Sequence, residues 1–144
     1  MASDRRAEVT WGGDLFNGSG TITGVGSGAF GPLDVTWASR AEEPSGRTSP
    51  EELIAAAHAS CYCMALSNGL AKAETPPEEL RASATVTFVP GTGITTSALT
   101  VVGRGPGIDA GTFAAAAEAA KVGCPVSGAI TGNVEVTIEA SLEA

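Results

Sequence analysis

Three cysteines and a single histidine are the residues of this 144-residue chain whose types suit nucleophilic, redox or metal chemistry. Cys61, Cys63 and His58 fall together in His58-Ala59-Ser60-Cys61-Tyr62-Cys63-Met64, while Cys124 stands apart between Gly123 and Pro125. A thiolate can attack, ligate or be oxidised. On a helix Cys63 points about 200° away from Cys61, so these two can neither pair nor readily hold one metal; Cys63 is assigned to packing. His58, three residues before Cys61 and on nearly the same helical face, has three open roles: base, hydrogen-bond donor or metal ligand. A lone histidine makes a Cys/His zinc site poor, because a carboxylate would have to join Cys61, Cys124 and His58. No metal and no cofactor are expected. Each residue also has a bland reading, as a small core thiol, a buried loop thiol and a satisfied structural histidine.

The element that must position Cys61 is a long helix. Ser49-Pro50-Glu51-Glu52 has Ser at the cap, Pro at the first helical position and Glu at the third, a capping box with the proline where it costs least. The helix runs through Leu53, Ile54, Ala57, Cys61, Met64, Ala65 and Leu66, with Asn68-Gly69 as its expected stop. It is apolar on most sides, so it must be covered on more than one face, within the fold or by another subunit. Cys124 is delivered by a second helix, capped by Asp109, running through Phe113 to Val122 and stopped by Gly123, with Pro125 pushing Cys124 toward extended backbone.

Around these helices the pattern is that of strands. Ala7–Gly12, Gly20–Gly26 and Leu33–Ser39 are expected as hairpins joined by turns such as Asn17-Gly18 and Gly31-Pro32. A linker over residues 41–49 separates them from the long helix. Two strands follow it, Arg81–Pro90 and Ile94–Gly105, and a last strand, Asn133–Leu142, closes the chain. The expected fold class is α+β, with antiparallel hairpins and sheet, a long central helix and a second helix, in one domain spanning residues 1–144. Gly26, Gly28 and Gly31 match a GxGxxG spacing, but Pro32 follows and no helix opens there, so they are taken as turn residues.

Sixteen acidic against eight basic residues give a formal net charge of −8, which disfavours nucleic acid and anionic membrane surfaces as partners. Arg5-Arg6 precedes a polar strand pattern instead of an export signal's apolar run, and no stretch offers the roughly 18 consecutive apolar residues of a membrane span. The odd, sparse cysteines are unlike a disulfide framework. A cytoplasmic location is expected.

The runs from Ser49 to Leu53 and from Ala55 to Leu66, with Val122-Gly123-Cys124-Pro125-Val126-Ser127, resemble the OsmC/Ohr family of thiol peroxidases. The likeness extends to Val9-Thr10-Trp11-Gly12-Gly13-Asp14, to Pro106-Gly107-Ile108-Asp109 and to the closing strand. The His-Ala-Ser-Cys form and Trp37-Ala38-Ser39-Arg40 resemble the OsmC branch more than the Ohr branch. The resemblance implies that Cys61 is the peroxidatic thiol and Cys124 the resolving one, that Arg40 supports the reactive cysteine, and that Glu51 orients the arginine. It implies further a substrate that is an organic hydroperoxide, with hydrogen peroxide as a second candidate, a dithiol reductant of lipoyl or other small type, and an intertwined homodimer with its sites at the subunit interface.

The physics of those roles is consistent. An ordinary thiol near pKa 8.5 is only a few per cent thiolate at neutral pH, and lowering it to roughly 6 takes about 3.4 kcal/mol of preferential stabilisation. Glu51 and Cys61 are ten residues apart, about 15 Å along a continuous helix. They cannot share one site within a chain, whereas antiparallel long helices of a two-fold dimer would bring them together. The alternatives are a non-catalytic redox sensor or small-ligand binder of the same fold, and a general disulfide oxidoreductase, which lacks its Cys-x-x-Cys pair here.

Overall fold

The computed structural model describes residues 2–143 and contains two compact units, one ending at Pro50 and the other beginning at Glu51. In the first unit β1 (Ala7–Gly12), β2 (Ser19–Val25) and β3 (Leu33–Val35) form an antiparallel sheet in the order β1-β2-β3. The turn between β1 and β2 is built by Asp14, whose carboxylate accepts the Asn17 N–H at 2.7 Å while its carbonyl accepts the Gly18 N–H at 2.9 Å. The expected strand Leu33–Ser39 ends early, at Val35, and its second half is the short helix α1 (Trp37–Ala41). Thr36 caps that helix by accepting the Ser39 N–H at 3.0 Å, and the Ser39 hydroxyl accepts the Thr36 N–H. Ser took the place that Glu or Gln usually fills in a capping box, so the signal was easy to pass over.

The second unit opens on α2 (Pro50–Lys72) and continues with β4 (Glu79–Val89), β5 (Gly93–Arg104), α3 (Ala110–Gly123), α4 (Pro125–Ile130) and β6 (Glu135–Leu142). α2 runs past the Asn68-Gly69 stop expected for it. Leu70 is fully buried and continues the four-residue spacing of Tyr62 and Leu66 into the core, so packing overrides the weak helix propensity of Asn and Gly. Glu74, in the left-handed region at φ 65°, ends the helix, and the Thr75 N–H closes on the Leu70 carbonyl at 2.9 Å. By length and mean apolar character α2 passes as a membrane span, but it interrupts its alanines with Glu51, His58 and Asn68, and its buried stripe packs on protein.

β4 and β5 pair antiparallel as expected, whereas β6 lies parallel to β5, giving the order β4-β5-β6. The connection from β5 to β6 carries two helices, and a crossover of that length returns a strand in the same direction. α3 is capped by Asp109, which accepts the Thr112 N–H at 2.8 Å. The core joins Tyr62, Leu66 and Leu70 of α2 to Leu99 and Val101 of β5, to Ile108 just before α3, to Phe113 and Ala120 of α3, and to Cys124. Phe113 lies so close over Gly103 that a Cβ there would stand 2.5 Å from its ring.

Candidate active site

Cys61 sits at mid-helix on α2 and is partly buried against the core cluster that contains Cys124. Cys124 occupies the single residue between α3 and α4, with extended backbone as expected (φ −66°, ψ 122°). Its N–H closes α3 on the Ala120 carbonyl at 2.9 Å, and its carbonyl accepts the first bond of α4, from the Gly128 N–H at 3.0 Å. It is thus fixed by both helices and has no exposed surface. α4 was not expected from sequence, although Pro125 at its first position is a start signal.

The two sulfurs, distant in sequence, meet at the same core cluster as free thiols and are close enough to perturb each other's ionisation. Their surroundings differ. Burial pushes the Cys61 thiol above the ordinary thiol range, and the hydrogen bond and charge of Cys124 push the same way, against a weaker pull from the Val126 N–H. For Cys124 burial is again the largest influence and acts upward. It is outweighed by the Ser127 N–H, the Cys61 thiol, the Ser127 hydroxyl and the Val126 N–H together, so Cys124 is held below the ordinary range. Its sulfur makes no formal cap on α4, yet these donors face it closely enough to favour its thiolate. Within one chain the two shifts run in opposite directions, up for Cys61 and down for Cys124.

His58 is fully buried one turn before Cys61, with both ring nitrogens engaged. Nδ1 meets the Ser97 hydroxyl at 2.7 Å and Nε2 the Ser127 hydroxyl at 2.8 Å. Burial lowers its pKa, so the ring is neutral. Of its three open roles, hydrogen bonding is the one observed. Ser97 and Ser127 were given no role in the sequence reading. Ser97 had a signal: it shares the inward side of β5 with Leu99 and Val101, and a polar residue on a core-facing row needs a partner.

The other two expected site residues are Arg40 and Glu51. Arg40 is partly buried in the last turn of α1, in the first unit. Glu51 is buried in the first turn of α2, and because α2 is continuous it stands about 15 Å from Cys61 along the axis. Cys63 is partly buried, and burial raises its thiol.

The family model that matches the chain is that of OsmC-like protein, over residues 43–139. The chain is 37% identical over 146 residues to Peroxiredoxin OsmC of Escherichia coli (strain K12), with 99% of each covered, and equally so to Peroxiredoxin OsmC of Shigella flexneri. Among solved structures it is similar to the organic hydroperoxide resistance protein OhrB of Bacillus subtilis, at 26% identity and a TM-score of 0.67 over 94% of this chain and 98% of that one. It shares its fold with an OsmC like protein from Mycoplasma pneumoniae, at a TM-score of 0.70 and 13% identity over 99% and 100% of the two chains.

Proposed function

The chain belongs to the OsmC-like protein family, and from that premise we propose that it is a thiol-dependent peroxidase that reduces organic hydroperoxides at the expense of a thiol reductant. The observation that carries this reading is the closeness of Cys61 and Cys124, which pack together and perturb each other's ionisation, two thiols that a peroxide can convert into a disulfide. The Cys61 thiolate attacks the O–O bond of ROOH, the alcohol leaves, and Cys61 becomes a sulfenic acid. Cys124 attacks that sulfur, the S–S bond forms as the S–O bond breaks, and water is released. A dithiol, of lipoyl or another small type, then reopens the disulfide by exchange.

Because burial and Cys124 both disfavour a Cys61 thiolate in a single chain, Cys61 needs a cation to react. Arg40 is assigned that part and Glu51 the part of holding its guanidinium, on the family likeness at these positions. A planar guanidinium suits the task, since it can donate to a carboxylate and a sulfur together. The distance along α2 makes Glu51 serve the Cys61 of a second copy, so the working form is a homodimer with shared sites. The exposed apolar surface of α2 and α3 supports this: Met64 is 72% and Val122 77% exposed, beside a groove of about 780 Å³ lined by Met64, Ala65, Ala116 and Ala119. The two units act as one domain, in keeping with a relative matched over 99% of both chains. Three unbridged cysteines fit a reducing cytoplasm.

Mass spectrometry after one equivalent of cumene hydroperoxide tests the reading. A Cys61–Cys124 bridge and one alcohol per chain are expected; unmodified thiols after full mixing would refute it.

A further inference from the structure

The mechanism above leaves Ser97, His58 and Ser127 unused, although they form a hydrogen-bonded polar line through the core that ends at Ser127, three residues after Cys124. All three are buried, His58 and Ser97 at 0% exposure and Ser127 at 1%. They come from β5, α2 and α4, and Ser127 lies in the first turn of α4, three residues after Cys124, where its hydroxyl favours the Cys124 thiolate. An apolar residue at position 58 would fill the same volume without burying polar atoms, so satisfying them has a cost that a purely packing role does not explain.

The direction of the line follows from counting protons. In the closing step Cys124 must act as a thiolate, which only accepts, so in that state the Ser127 O–H is the group that can donate to it. Ser127 Oγ then accepts from His58 Nε2–H, which leaves Nδ1 to accept from the Ser97 O–H. Every donor and acceptor of the ring is used, and the tautomer is inferred from that accounting. Neutral His58, as its burial dictates, is the form this line requires.

We infer that Ser97, His58 and Ser127 form a buried relay that readies Cys124 to close the disulfide, with His58 as the positioning residue that aims the Ser127 hydroxyl at the sulfur. The inference rests on the peroxidase reading and assigns the relay to its second step. In that step the Cys124 thiolate attacks the sulfenic sulfur of Cys61. Cys124 is oxidised to the disulfide level, the sulfenic sulfur is reduced to it, and the departing hydroxide takes a proton from solvent. Ser127 donates to the reacting thiolate; His58 and Ser97 act through it. Without the relay the hydroxyl is free to rotate away and the thiolate loses a donor.

The test follows single turnovers with cumene hydroperoxide, trapping the sulfenic acid with dimedone and counting disulfide by mass at quenched times. In His58→Phe and Ser127→Ala, closure should slow about tenfold or more beyond any slowing of sulfenic acid formation, as expected for a lost hydrogen bond to a charged group. His58→Gln, whose amide can donate where Nε2–H did, should recover most of the loss. Equal slowing of both steps, unchanged closure in Ser127→Ala, or a glutamine variant no better than phenylalanine would overturn the relay. Closure driven by diamide separates the two ideas, since it needs no peroxide chemistry. A wild-type chain that closes with diamide and ignores hydroperoxide refutes the peroxidase reading, whereas relay variants that close with diamide at the wild-type rate refute the relay.

Discussion

Cys124 and Cys61 are close enough to perturb each other's ionisation, yet one chain equips them oppositely. Cys124 is locked between two helices, sealed from solvent and surrounded by donors that favour its thiolate. Cys61 is partly open, and burial and its neighbour keep it protonated. The surroundings of Cys124 favour its thiolate within one chain, while Cys61, the proposed peroxidatic thiol, still needs a stabilising charge. A buried thiol can be prepared by backbone and hydroxyl donors fixed in place; a reactive one must meet substrate, so its activation can be supplied separately and late.

Exchanging the cysteines breaks or sharpens this comparison most directly. Cys61→Ser should lower the rate of hydroperoxide reduction by about a thousandfold or more, whereas Cys124→Ser should still reduce one equivalent and stop at the sulfenic acid. Stopped-flow with quantified alcohol release reads both, and the reverse pattern would make Cys124 the peroxidatic thiol.

The next effect is on the core that seals Cys124. Leu66→Ala should destabilise by about 2–5 kcal/mol, while Met64→Ala, on the open side of the same helix, should stay within about 0.5 kcal/mol in a monomer. Urea unfolding measures the pair, and a costly Met64 change at concentrations that favour assembly would locate a covered face there. Smaller is Gly103→Ala, which pushes a methyl into the buried Phe113 ring and should cost about 1–3 kcal/mol.

The smallest effect is one of pH. His58 has a native pKa lowered by burial from its ordinary 6.5, so below that value the unfolded chain takes up a proton that the native chain refuses. Stability is therefore fully present above about pH 6.5 and declines as the pH falls below it. Melting temperatures between about pH 7.5 and 5.5 should show this slope, and His58→Gln should flatten it. An unchanged slope would show that His58 is not the group responsible.

Features encoded within a few residues were legible beforehand. Pro50 starts the long helix, Asp109 caps the helix that leads to Cys124, and turn residues mark the first two hairpin strands, because caps and turns are made by neighbours in sequence. Where local signals competed with distant ones, tertiary packing prevailed. Asn68-Gly69 did not stop α2 because Leu70 belongs to the core, and β6 chose a parallel partner because two helices had to be fitted between it and β5.

By itself the sequence determined which atoms are available to react: two thiols in separate motifs, one of them on a long helix ten residues beyond Glu51. Only the tertiary structure decided that those thiols come close, that their ionisation is shifted in opposite directions, and that the one histidine is bound to Ser97 and Ser127. The physical reason is that ionisation and hydrogen bonding depend on distance and burial, which the chain acquires only when β5, α2 and α4 close on one another.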